Sequence, residues 1–112
     1  MMLKKELLFL MNINKQLKEN RVLPLATITS KEEVDGISQA LQKANCSVLE
    51  ITLRDERVRE IIHLFKNYPD LTIGLGTIRS SEDIDLAVSS GAHFGITPGL
   101  SKTLCEYAND CN

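Results

Sequence analysis

Four short apolar runs, Val22–Ile28, Val48–Leu53, Leu71–Ile78 and Ala92–Ile96, are each followed by a segment whose apolar residues fall at helical spacing. This alternation limits the fold more than any other feature of the chain. Strands that alternate with helices pair in parallel through right-handed crossovers. The strand centres, near Leu25, Glu50, Ile73 and Phe94, recur roughly every 25 residues. Four such units fit half of an eight-stranded barrel or a small open doubly wound sheet.

The helical segments carry their own start and stop signals. Ser30-Lys31-Glu32-Glu33 has capping-box spacing, with Val34, Ile37, Leu41 and Ala44 behind it as one buried helix face. Val58, Ile61, Ile62 and Phe65 mark a second helix, ended by Asn67-Tyr68-Pro69 because proline cannot continue it. A third is expected from Ser80, with Ile84, Ala87 and Val88 buried and Gly91 as a left-handed cap. A fourth starts at Ser101, with Leu104, Cys105 and Ala108 apolar.

Strand chemistry favours the barrel. A central parallel strand is usually apolar on both faces, yet Ser47 to Arg54 alternates. Leu49, Ile51 and Leu53 point one way, and Val48, Glu50, Thr52 and Arg54 the other. A carboxylate in mid-strand on the face away from the helices is costly unless it has a partner or a purpose. Either Arg54 pairs with it structurally or the face is a polar barrel interior carrying a site. Gly74, Gly76 and Gly95 leave room on the sheet for a ligand or mark close packing.

The totals exclude several function classes. The 112 residues suffice for one domain, 1–112. A net charge of −2 with interspersed signs offers no nucleic-acid footprint, and no apolar stretch is long enough to span a membrane, so a small-molecule partner is expected. Cys46, Cys105 and Cys111 are odd in number and form no CxxC pair, which points to a reducing, cytoplasmic setting. Met1 to Met11 has the charge-then-apolar order of a signal peptide, but Glu6 interrupts it, and an amphipathic opening helix through about Lys18 is the preferred reading. Gly74-Leu75-Gly76 lacks the third glycine of a dinucleotide loop, Arg79 standing in its place. His63 and His93 lack a third ligand at a recognisable spacing, so neither a metal nor a cofactor is expected.

Four stretches together resemble the bacterial 2-keto-3-deoxy-6-phosphogluconate and 4-hydroxy-2-oxoglutarate aldolases. They are Val22-Leu23-Pro24-Leu25, Val48 through Arg54, Ile73-Gly74-Leu75-Gly76-Thr77-Ile78, and Gly91 through Leu100, in the family's order and spacing. The resemblance implies a TIM-type (β/α) barrel of which this chain holds the first four βα units, a half-barrel with an N-terminal helix. It implies a class I aldehyde-lyase that cleaves a 2-keto-4-hydroxy acid to pyruvate and an aldehyde through a lysine Schiff base, in subunits that form trimers. By motif position, Glu50 is the general acid/base, Arg54 and Thr77 hold the pyruvate carboxylate, and Pro98 lines the pocket.

Three departures from the family pattern stand out. Ala44-Asn45-Cys46 replaces a small, glycine-rich turn, which asparagine tolerates because it accepts a left-handed conformation. Asp55 replaces a threonine after Arg54, where it competes for the arginine or caps the next helix. The family's Schiff-base lysine lies on a later strand, and no lysine here matches its motif; Lys31 and Lys102 read as surface residues. The expectation is an aldolase truncated before that lysine and inactive alone, which self-associates or takes a complementary C-terminal half. The alternative is a non-catalytic remnant that binds a small anion such as pyruvate or phosphate near Arg54, Arg57 and Arg79.

Overall fold

The computed structural model describes residues 13–111. The expected opening helix falls partly outside them; within them, helix α1 runs over residues 13–20, past the expected end at Lys18. Strand β1 (Leu25–Ala26) leads to α2 (Lys31–Lys43), β2 (Val48–Thr52) to α3 (Val58–Ile61), and β3 (Thr72–Gly76) to α4 (Ser81–Ser90); β4 (Phe94–Ile96) leads to α5 (Lys102–Asp110). The four strands form one parallel sheet in the order β1-β2-β3-β4, as successive right-handed βα units require.

The helices begin and end where the sequence signals lie. Glu33 N–H donates to Ser30 Oγ at 3.3 Å, but the Glu33 carboxylate reaches one residue further back than a capping box predicts, accepting from Thr29 N–H at 2.6 Å. Ser80 caps α4 and Gly91 closes it at φ 82°. Asn45 takes the left-handed conformation expected of it, at φ 54°. After α3 the chain tightens into a 3-10 helix, Ile62–Asn67, that ends before Pro69. Asn20, at the end of α1, donates to Ser47 Oγ and accepts from Ser47 N–H, fastening α1 to the start of β2.

One face of the sheet and the helices over it form the core. Leu49, Ile51, Leu53, Ile73 and Leu75 pack there against Val34, Val58, Ile62, Phe65, Ile84 and Ala87. Four details differ from the pattern in the sequence. The first run pairs only at Leu25 and Ala26, because β1 is an edge with β2 on one side alone. Ala44 is exposed at the end of α2, and Ser38 is buried in its place. Val88 is 55% exposed, and α4 instead turns Asp83 and Ser90 inward. Cys105 and Ala108 are exposed on α5, and Leu104 and Tyr107 pack against the core.

Asp83 explains the rotation of α4. Its carboxylate is buried and accepts from Arg79 N–H at 2.9 Å and from Arg59 at 2.8 Å, tying α3 to the start of α4. Burial pushes this carboxyl up, but the Arg79 N–H and the Arg59 guanidinium outweigh it and hold the group below its ordinary value. A carboxyl whose folded value is lowered adds stability above its unfolded value, near ~4, and loses it as pH falls through the folded value. Asp83→Asn is therefore expected to destabilise the chain at neutral pH by about 1–3 kcal/mol and to narrow that gap in acid, as read by urea denaturation at both pH values.

Candidate active site

The face of the sheet turned away from the helices is where the sequence places its one mid-strand carboxylate. Residues in parallel register share a face, so Leu25, Glu50, Gly74 and Phe94 form one row across all four strands. Thr52, Gly76 and Ile96 form the next row towards the strand C-terminal ends, extended by Thr27, whose hydroxyl lies 2.7 Å from that of Thr52. Glu50 is the sole ionisable group in either row.

The two glycines of β3 give that face its shape. A Cβ at Gly74 would strike the Phe94 ring, and one at Gly76 would strike the Glu50 carboxylate. The glycines therefore serve close packing: the room they leave is taken by Glu50 and Phe94. Glu50 is only 8% exposed, whereas its row neighbour Leu25 is 53% exposed at the open edge. Burial pushes the Glu50 carboxyl above its ordinary value, and the charge of Arg54 draws it part of the way back.

No ion pair joins Glu50 to Arg54 among the described residues. Arg54 lies two residues past the end of β2 and is exposed, its charge acting on Glu50 from a distance. Asp55 does not compete for it. Instead, Asp55 binds the Arg57 N–H at 2.9 Å and the Arg57 guanidinium at 2.9 and 2.7 Å, which holds its carboxyl down at about 2. Arg57 is thereby engaged, and the cluster of three arginines expected as an anion site reduces to Arg54 and Arg79, both exposed.

Thr77 follows β3 directly and is partly buried at φ 65°, a left-handed conformation that a β-branched residue rarely adopts. Pro98 is exposed on the loop after β4, where Thr97 Oγ1 donates to Gly99 O at 2.7 Å. Glu50 thus sits on β2 and Thr77 just past the end of the adjacent β3, with Arg54 beyond the end of β2 and Pro98 on the loop after β4. The Thr27–Thr52 hydroxyl pair and the Phe94 ring were not singled out as site residues from the sequence. Alternation along β2 puts Thr52 on the Glu50 side, but only the register brings Phe94 over Gly74.

Other candidate chemistry is accounted for structurally. His93 Nδ1 accepts from Ile73 N–H at 3.0 Å, and His63 is exposed. Among the described residues no three His, Cys, Asp or Glu side chains converge as metal ligands, and no helix is long and apolar enough to cross a membrane. Lys31 and Lys102 are exposed, as expected, and Lys102 pairs with Glu106 at 3.7 Å.

Substituting Glu50 by Gln tests the electrostatics of this face. A carboxyl whose folded value is raised contributes stability below its unfolded value, near ~4, and loses it as pH rises through the folded value. Glu50→Gln is therefore expected to melt several degrees above the parent at neutral pH and to match it near pH ~4, the opposite sign to Asp83→Asn. Thermal melts across that range read the difference.

Comparison with known proteins places this face in context. The family model described as KDPG and KHG aldolase matches residues 13–112. A 2-dehydro-3-deoxy-phosphogluconate aldolase of Haemophilus influenzae is 35% identical over 101 residues, covering 89% of this chain and 48% of that relative. The crystal structure of the 2-keto-3-deoxy-6-phosphogluconate aldolase of Zymomonas mobilis with 3-phosphoglycerate superposes with TM-score 0.79 at 29% identity, over 88% of this chain and 47% of that one. A KDPG aldolase from Legionella pneumophila, with pyruvate captured as a covalent carbinolamine intermediate, superposes with TM-score 0.72 at 30% identity, over 78% of this chain and 43% of that one. The chain spans about half the length of the relatives it matches.

Proposed function

The chain belongs to the KDPG and KHG aldolase family, and from that premise we propose that it forms four strands of an eight-stranded barrel and supplies the proton-transfer and carboxylate-holding part of a pyruvate-forming aldolase site. The observation that carries this reading is Glu50: a carboxylate 8% exposed, without an ion pair among the described residues, on the sheet face away from the helices. A group raised by burial and held in a defined place is suited to general acid/base work near neutral pH.

In the proposed reaction a lysine amine condenses with the 2-keto carbon of a 2-keto-4-hydroxy acid, losing water. The resulting iminium accepts the electron pair of the breaking C3–C4 bond as the C4 hydroxyl loses its proton and the aldehyde departs. Protonation of the enamine at its terminal carbon and hydrolysis then release pyruvate. Glu50 moves the protons at the carbinolamine and at the methyl carbon. Arg54, with its guanidinium fork, and Thr77, with its hydroxyl, hold the keto acid's carboxylate, and Pro98 lines the outer pocket. The lysines described in this chain are exposed, so the amine comes from a complementary C-terminal half.

Borohydride trapping with pyruvate, read by intact mass, tests this. The chain is mixed with the C-terminal half of the Haemophilus influenzae relative, and the adduct is expected on the added half only. An adduct on this chain would move the amine to one of its own lysines; none in the mixture would leave anion binding as the surviving function. Arg54, exposed and without an ion pair among the described residues, favours that second reading. Pyruvate binding by calorimetry, lost in Arg54→Ala without any trapped adduct, would establish it.

A further inference from the structure

The Glu50 face carries a hydroxyl pair that the reaction proposed above does not use. Thr52 ends β2 and Thr27 follows β1, their hydroxyl oxygens 2.7 Å apart. Thr52 is 0% exposed, whereas Thr27 is exposed. A hydroxyl carries one hydrogen and can accept two. Two hydroxyls that meet share one hydrogen between them and leave the other to find an acceptor elsewhere. Among the described residues Thr52 Oγ1 has no partner but Thr27. Were Thr27 the donor, the Thr52 hydrogen would be sealed inside with nothing to receive it, a cost that buried polar groups avoid. The bond therefore runs from Thr52 to Thr27. It leaves the Thr27 hydrogen to the space over the sheet, on an oxygen made a better donor by the bond it accepts.

Position says which acceptor this donor meets. A Cβ at Gly76 would strike the Glu50 carboxylate, so that carboxylate, rooted one row deeper, reaches into the row of Thr52 and Gly76 on the β3 side. Thr27 closes the same row on the β1 side. Strands β1 and β3 lie about 9–10 Å apart, two strand spacings, and Thr27 leans towards β2 to meet Thr52. An oxygen that accepts from a hydroxyl and donates to a carboxylate takes up about 5–6 Å. The interval between Thr27 and Glu50 thus suits a single substrate oxygen. Thr77, which holds the keto acid's carboxylate in the reading above, follows β3, on the opposite side of β2 from Thr27. The reacting oxygen furthest from that carboxylate is the 4-hydroxyl.

Resting on the aldolase reading, we infer that Thr27 determines specificity for the 4-hydroxyl of the substrate: its hydroxyl, oriented by Thr52, donates to that oxygen. Thr52 is then a positioning residue. In cleavage the 4-hydroxyl proton passes to Glu50, the O–H pair becomes the second C4–O bond, and the C3–C4 pair moves into the iminium. Thr27 keeps its own proton throughout and offsets the charge that gathers on the oxygen. In the direction of synthesis the same donor polarises the aldehyde carbonyl. Donor and base bracket the oxygen from fixed sides, so they also distinguish the two configurations at C4.

Two assays on the chain assembled with the C-terminal half of the Haemophilus influenzae relative test this. One follows cleavage of a 2-keto-4-hydroxy acid, and the other follows exchange of the pyruvate methyl hydrogens in deuterated water by NMR. Exchange uses the same imine and the same Glu50 but involves no 4-hydroxyl. Thr27→Val combined with Thr52→Val removes both hydroxyls at nearly constant shape and orphans neither. The double variant should lose about 10²-fold in kcat for cleavage, the cost of one donor to a developing oxyanion. Exchange should stay within about threefold of the parent, because the lost interaction is made only in the cleavage transition state. The preference between 4-epimers should narrow, and Thr27→Ser, which keeps the hydroxyl, should cleave like the parent. Equal losses in both assays would place the hydroxyl at the carbinolamine or the carboxylate and overturn the inference, as would unchanged cleavage. A parent assembly that neither cleaves nor exchanges would sink the aldolase reading and the inference with it, whereas an active parent matched by the double variant sinks the inference alone.

Discussion

Glu50→Gln, assembled with a complementary C-terminal half, is expected to cleave a 2-keto-4-hydroxy acid about 10²–10⁴-fold more slowly than the parent assembly, the range that removal of a general acid/base costs. Coupled detection of pyruvate checks it. The substitution preserves shape and hydrogen-bonding reach and removes only the group that can take up and return a proton. Because the same change is expected to raise the melting temperature at neutral pH, a loss of rate cannot be traced to a loss of fold. An unchanged rate would remove Glu50 from the proton path and leave its buried charge without a function to offset its cost.

Leu75→Ala carries the largest expected change in stability, about 2–5 kcal/mol. Leu75 is fully buried in the middle of β3, between β2 and β4, on the face packed against the helices. A chain of this size has only about 5–15 kcal/mol to lose. Urea denaturation should show a midpoint shifted far down or a chain already unfolded in buffer. Leu25→Ala, on the exposed inner row, should cost far less, and equal losses at both positions would mean that the inner face is as well packed as the outer one.

Much of the architecture was legible in the sequence for local reasons. Ser30, Ser80 and Ser101 announce helix starts because their side chains each satisfy the backbone N–H three residues on, and Gly91 announces an end because its φ of 82° suits glycine. Glu50 was legible because strand alternation assigns faces without any knowledge of partners. What was not legible depends on distant residues. Val88 has the apolar character and spacing of a buried position, yet the Asp83 contacts with Arg59 and Arg79 fix the rotation of α4 and leave it outside. The run from Val22 reads as a full strand, but pairing requires a neighbour, and β1 has one. The left-handed Thr77 had no local signal, since a β-branched residue predicts the opposite.

The shortness of the two edges has a consequence for how the chain behaves when concentrated. Fibrillar cross-β stacking draws on extended runs of about six or seven residues, whereas β1 offers two and β4 three. Each edge presents too few outward peptide groups to template an endless ladder. Crowding the chain should therefore drive it into finite, dissolvable particles that disperse on dilution, with no lag phase and no dye-binding fibres.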